Sequence, residues 1–185
     1  MASSQEKSYT EEDYYNLPED ARTELIDGQF YNMSSPGRVH QELLMELSAT
    51  IFNYIKAKGG SCRVYPAPFA VKLFNDRTNI VEPDISVICD KNKLTDEGCN
   101  GAPDWVIEIV SPSSKRMDYY MKLFKYQTAG VREYWIVDPE NKTVRVLLQT
   151  GKGTLWTHEV YKREDVAKVN VLEGCFIELS KVFSE

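Results

Sequence analysis

The sequence has no long apolar run. Nothing in its 185 residues approaches the roughly 20 consecutive apolar residues of a membrane-spanning helix, so a helical membrane protein is excluded. The start, MASSQEKSYTEEDYY, holds no apolar segment of a secretory leader, and a cytoplasmic protein is the expectation. A basic excess is missing too: 22 Lys and Arg stand against 28 Asp and Glu, giving a net charge of -6 and a pI near 5.1. Broad electrostatic capture of nucleic acid wants a basic surface, so any phosphate contacts must come from a local patch. Four cysteines (Cys62, Cys89, Cys99, Cys175) form no C-x-x-C pair. Neither a zinc ribbon nor a dithiol redox motif is indicated, and reduced cysteines are expected. Internal repeats and low-complexity linkers are also absent. What is present, 42% hydrophobic and 27% charged residues, is ordinary for a globular chain. This length suits one domain with a real core. Residues 1–8 are expected to be a flexible lead and residues 9–185 a single domain.

Punctuation and periodicity order the elements. Thr10-Glu-Glu-Asp13 fits a capping pattern for a short helix ended by Pro18. Thr23 to Tyr31 reads as a hairpin turning at Asp27-Gly28. Beyond Pro36 a long helix follows, with His40, Leu44, Leu47, Ile51 and Ile55 on one stripe and Gly59-Gly60 as its stop. Strands are predicted over Cys62–Tyr65, Phe69–Phe74 and Ile85–Cys89, and a polar surface loop over Asp90–Gly101. A second helix spans Lys115–Thr128 with a core stripe of Met117, Met121, Phe124 and Thr128, closed by Gly130. Further strands are predicted over Tyr134–Val137, Val144–Leu148, Leu155–Tyr161 and Cys175–Leu179. This order fits a mixed sheet with helices packed on it.

One strand carries a misfit. In Trp105-Val-Ile-Glu-Ile-Val110, alternation sets Trp105, Ile107 and Ile109 on one face and Val106, Glu108 and Val110 on the other. An ionised carboxylate among apolar neighbours is costly unless it is paired or binds a metal. Glu108 therefore meets water, pairs with a cation, or does chemistry. Upstream, Glu82-Pro-Asp84 brings a second carboxylate to the mouth of a strand, because Pro83 lacks a ladder donor and belongs at an edge, a strand start or a bulge. If the two strands are neighbours, Asp84 and Glu108 repel by roughly 4 kcal/mol at about 4 Å and an effective dielectric near 20. Such a pair keeps a proton or takes up a cation. Oxygen-only ligands suit magnesium or manganese rather than zinc. On the second helix, Asp118, Lys122 and Tyr126 recur at i, i+4 and i+8 beside the core stripe. Lys122 can snorkel from there towards a cleft; Lys125 competes for the same place.

In this order the segments resemble a known family. They are Glu24-Leu-Ile-Asp-Gly28, Ser35-Pro36 with His40-Gln41, Glu82-Pro-Asp-Ile-Ser86, Pro103 to Ser113, then Asp118, Lys122, Tyr126 and Gly130, and Glu133 to Pro139. Together, over roughly residues 9–180, they resemble the Uma-type restriction endonucleases of the PD-(D/E)XK nuclease superfamily. The superfamily's lysine two residues after the glutamate is absent, since that position is Val110; the Uma-type branch places it on the following helix, here Lys122.

The resemblance implies an α/β (α+β) fold, a restriction-endonuclease-like mixed β-sheet flanked by helices with extra antiparallel hairpins. It implies hydrolysis of DNA phosphodiester bonds, with Asp84, Glu108 and Lys122 catalytic and Mg2+ (or Mn2+) held by Asp84 and Glu108. Glu24 would complete the metal shell, His40 would contact metal or phosphate, and Lys115 and Arg116 would add phosphate contacts. Cutting two strands with one site per chain asks for two copies, so a homodimer is expected. Two alternatives stay open: a catalytically inactive nucleic-acid or protein interaction module on the same scaffold, and a metal-dependent hydrolase of small nucleotides, which suits the acidic pI.

Overall fold

The computed structural model describes residues 7–18, 20–151 and 156–184. A short helix α1 (Glu11–Tyr15) opens the chain, and its start is held by the Asp13 carboxylate, which accepts from the Thr10 N–H at 2.8 Å and the Thr10 hydroxyl at 3.0 Å. Strands β1 (Thr23–Ile26) and β2 (Gln29–Asn32) form the predicted hairpin. Its two turn residues, Asp27 and Gly28, have φ of 51° and 72°, the left-handed pair that matches strand twist. Within the lead expected to be flexible, residues 1–6 lie outside the described residues. Lys7 offers its carbonyl to Gln29 Nε2 at 3.0 Å, so the hairpin anchors the chain just before α1.

Helix α2 (Arg38–Lys58) follows and ends at Gly59, whose φ of 63° makes the left-handed cap. It buries Leu43, Leu44, Leu47, Ile51 and Ile55. The main sheet they pack on has the strand order β12-β11-β10-β9-β6-β3, namely β12 (Trp156–Lys162), β11 (Thr143–Gln149), β10 (Glu133–Asp138), β9 (Trp105–Ile109), β6 (Ile85–Ile88) and β3 (Arg63–Pro66). Strands β9 and β10 are parallel and their neighbours antiparallel, so the sheet is mixed. A helical crossover joins β9 to β10: a π-helical stretch, Met117–Lys122, running into α3 (Leu123–Ala129). Alternation along β9 sorts the two cores. Trp105, Ile107 and Ile109 pack with α2, while Val106 and Val110 pack with Tyr126, Tyr134 and the second sheet. That second sheet has the order β2-β1-β5-β4-β8-β7, adding β4 (Val71–Lys72), β5 (Ile80–Val81), β7 (Leu94–Thr95) and β8 (Gly98–Asn100). A hairpin of β13 (Val166–Val169) and β14 (Cys175–Glu178), then a last turn α4 (Leu179–Val182), complete the α-helical side of the core. The expected mixed sheet with flanking helices and extra hairpins is present. Among the described residues no helix is long and apolar enough to cross a membrane.

Four expectations need correction. The polar stretch Asp90–Gly101 is not a plain loop: after a 3-10 turn at Lys91–Lys93 it forms β7 and β8, and β8 pairs in parallel with β4. The run Phe69–Phe74 is strand only at Val71–Lys72. In the second helix only half of the predicted core stripe packs inward: Met117 and Met121 are half-buried against the core, whereas Phe124 and Thr128 are exposed. Phe124 is 62% exposed, whereas Asp118, Lys122, Lys125 and Tyr126 are buried. The cause is a carboxylate group on the facing sheet that draws the charged side of the helix inward. Finally, the cysteines are not all reduced: Cys62 and Cys89, one step beyond the Arg63↔Ile88 pair, form a disulfide across the end of the β3–β6 ladder, and Cys99 and Cys175 are free. Leu155, the predicted start of β12, lies outside the described residues.

Gly98 is required where β8 meets β4. Its φ is +148°, and a Cβ there would stand 2.1 Å from the Ala70 carbonyl oxygen. Gly98→Ala must shift that backbone and is expected to cost about 1–3 kcal/mol, the scale of a strained residue held in place, read as a lowered denaturation midpoint.

Candidate active site

Three strands and two helices aim polar groups into the same place. Asp84 precedes β6, directly after Pro83, and the antiparallel register Ile85↔Ile107 sets it against the end of β9. Its Oδ2 accepts from the Ile109 N–H at 2.7 Å and meets His40 Nε2 at 3.2 Å. Glu108 points from β9 to the α3 side of the sheet. Its Oε1 accepts from Lys122 Nζ at 3.0 Å and the Tyr126 hydroxyl at 2.7 Å, and its Oε2 lies 3.4 Å from the Asp84 N–H. Glu24, from β1, accepts from the Glu82 N–H at 2.9 Å and pairs with Lys122 Nζ at 2.9 Å through the same Oε1. Asp118, one helical turn before Lys122, lies 3.8 Å from the ammonium. The lysine thus sits among three carboxylates, itself 4% exposed.

These groups line a cleft of about 1100 Å³ between the 33–37 segment, the start of α2, the Ser111–Ser114 turn and the 138–140 turn. Burial, only partly offset by Lys122 and reinforced by Asp118, Asp84 and Glu24, pushes Glu108 well above the usual carboxylate range. The Asp118 carboxyl is pushed up to about 6, again chiefly by burial, against the pull of Lys122 and a hydrogen bond from Ser114. For Lys122, burial alone would favour the neutral amine. The charges of Glu108, Glu24 and Asp118 outweigh it and hold the ammonium well above its ordinary pKa. Of the two candidate lysines, Lys122 is the one on the carboxylates; Lys125 pairs with Asp27.

The other predicted residues are placed as follows. His40, in the first turn of α2, touches Asp84, and its Nδ1 is buried without a hydrogen-bond partner among the described residues. Lys115 stands on the cleft rim, tied to Asp138 at 3.2 Å and Glu140 at 2.8 Å. Arg116 is exposed and is not among the side chains lining the cleft, so adjacency to Lys115 in sequence did not carry it there. Asp118 and Tyr126 belong to the site although sequence reasoning gave them no role. Their i, i+4, i+8 spacing with Lys122 was the available signal, since one helical face that touches one acid carries all three. Among the described residues, no three or more His, Cys, Asp or Glu side chains surround one point as a metal's ligands would.

Residues 11–180 match the Uma2 family, described as "Putative restriction endonuclease". The chain belongs to this family. A relative is the uncharacterised protein slr1290 of Synechocystis, 29% identical over 143 residues, covering 77% of this chain and 73% of that protein. The fold also matches the crystal structure of a "putative nuclease belonging to DUF820" from Anabaena variabilis, with a TM-score of 0.77, 22% identity and coverage of 95% of this chain and 97% of that one. At that identity the likeness speaks for the fold. The Uma2 match spans every element that supplies a cleft carboxylate, from β1 to the π-helical stretch.

Proposed function

We propose that this chain is a divalent-metal-dependent endonuclease that hydrolyses phosphodiester bonds in DNA. The observation that carries the reading is a charge imbalance: four carboxylates (Glu24, Asp84, Glu108, Asp118) line the inner cleft, and three of them, all but Asp84, share the Lys122 ammonium. A buried excess of negative charge calls for a cation. The donors are all oxygen, which suits Mg2+ or Mn2+. Magnesium keeps several waters and is commonly held by one or two carboxylates plus substrate phosphates, so Asp84 and Glu108 suffice and no three-residue cage is needed. Bound there, the ion supplies Lewis acidity and acidifies water.

The chain's own groups do the rest. Asp84, anchored by the Ile109 amide and His40, and Glu108, anchored by Lys122 and Tyr126, are the residues that would hold the ion. Glu24 keeps Lys122 in place through its Oε1. Lys122 neutralises charge developing on the phosphate. Lys115, at the rim, contacts a flanking phosphate. Two copies acting on opposite strands would complete a double-strand cut.

The net charge of -6 favours a second reading, turnover of small nucleotides that need no extended basic surface. Plasmid cleavage with Mg2+, set beside Asp84→Ala and Lys122→Ala, tests the first. Wild-type cleavage lost in both variants and in EDTA is the expected result. Turnover of nucleotides with no cut plasmid would replace it with the second, and polynucleotide binding without any turnover would make the chain an inactive module.

A further inference from the structure

Glu108 uses its two oxygens unequally. Oε1 accepts both the Lys122 ammonium and the Tyr126 hydroxyl, whereas Oε2 lies on the Asp84 side with only a long 3.4 Å approach from the Asp84 N–H. Asp84 shows the same division, with its described hydrogen bonds falling on Oδ2. The short hydrogen bonds of each acid therefore fall on one oxygen, and both residues line the shared cleft.

We propose that Tyr126 is a positioning residue, whose hydroxyl locks Glu108 Oε1 so that Oε2 is the oxygen offered to the divalent ion beside Asp84. This rests on the metal-dependent reading above and adds to it the group that orients the ligand. Lys122 cannot do this alone. Its ammonium is shared with Glu24 at 2.9 Å and Asp118 at 3.8 Å, and a lysine stem is flexible. Tyr126 is rigid by comparison. It is fully buried on α3, and its ring meets Tyr134 edge-on with centroids 4.9 Å apart. Outer partners of this kind commonly tune metal affinity by about 10–100-fold.

The test is Mn2+ binding followed by electron paramagnetic resonance, in the full chain without substrate. Tyr126→Phe keeps the ring and removes only the hydroxyl; it is expected to raise the Mn2+ dissociation constant about ten-fold or more. Tyr134→Phe serves as the packing control, because the Tyr134 hydroxyl donates to the Asp118 carbonyl at 3.0 Å and touches no carboxylate. It is expected to lower the melting temperature without weakening Mn2+. Glu108→Gln is expected to weaken binding as the ligand itself. Wild-type affinity in Tyr126→Phe, with Glu108→Gln impaired, overturns this inference alone. Wild-type protein that binds no Mn2+, or Glu108→Gln that binds normally, overturns the metal reading and this inference with it. A measurement free of substitutions is the 13Cζ resonance of Tyr126 in labelled wild-type protein. It is expected to move with the Mg2+ titration, and a resonance that stays still while the ion binds also overturns the proposal.

Discussion

Lys122→Met is expected to destabilise the protein by about 3–5 kcal/mol at pH 8, the scale of breaking a buried ion pair by removing one partner, and to abolish cleavage. The methionine fills nearly the same space, so the loss is electrostatic. Glu24 and Glu108, at 2.9 and 3.0 Å from Nζ, and Asp118 at 3.8 Å would be left buried with no counter-charge. The penalty must depend on pH in a defined direction. Burial already raises the Asp118 carboxyl to about 6 and Glu108 well above the usual carboxylate range, while Lys122 lowers both. Without the ammonium both rise further. A carboxyl whose folded pKa exceeds its unfolded value contributes stability that is full below the unfolded pKa and is lost as pH rises through the folded one. Both proteins lose the same amount between the unfolded pKa and the wild-type folded one, so the gap opens only as pH passes the wild-type folded values, about 6 for Asp118, and it widens to pH 8. Taking the difference cancels acid effects that both proteins share. Urea melts at pH 5 and pH 8 measure it, and a gap equal at both would show that the lysine matters for packing rather than charge.

The same cluster explains what was legible beforehand. Glu108 stood out because a carboxylate in an apolar strand is conspicuous at period two, and the sheet keeps that alternation. Asp84 was legible through Pro83. Placing the two acids together needed the β6–β9 register, which no local pattern contains. The helix misled for a physical reason. Periodicity assigns Met117, Met121 and Phe124 to the core because they are apolar; the two methionines do pack there half-buried, but a buried ion group rotates the helix so that Phe124 is exposed and the fully buried side carries Asp118, Lys122 and Tyr126. A π-helical stretch, frequent at functional sites, also departs from the 3.6-residue repeat on which the template rests. Strands β5, β7 and β8 are two or three residues long, and β5 and β8 join the sheet through distant partners while β7 pairs only with β8, so their composition reads as loop. The Cys62–Cys89 disulfide follows from strand register rather than spacing.

Glu108→Gln should separate function from stability. Cleavage is expected to fall by about 100- to 1,000-fold, the range for losing a group that stabilises transition-state charge. Stability at pH 8 is expected to rise, by about 1 kcal/mol, because a neutral group replaces a costly buried charge. The amide oxygen can still accept from Lys122 and Tyr126, and Lys122 keeps Glu24. The sign can be worked out as before. Wild-type Glu108 has a folded pKa raised well above 4.5, so its protonated form is favoured in the fold and wild-type stability drains away as pH rises. Glutamine has no such titration. The two proteins should therefore match below pH 4.5 and diverge above it, with the variant the more stable. Asp84→Asn is the contrast: equally inactive, but with no gain, since its Oδ2 is well used by the Ile109 amide at 2.7 Å and by His40. A Glu108→Gln protein that is less stable at pH 8 would mean that the carboxylate is a structural counter-ion for Lys122. One that is more stable and inactive would mean that the fold carries an unfavourable charge which only a bound cation relieves.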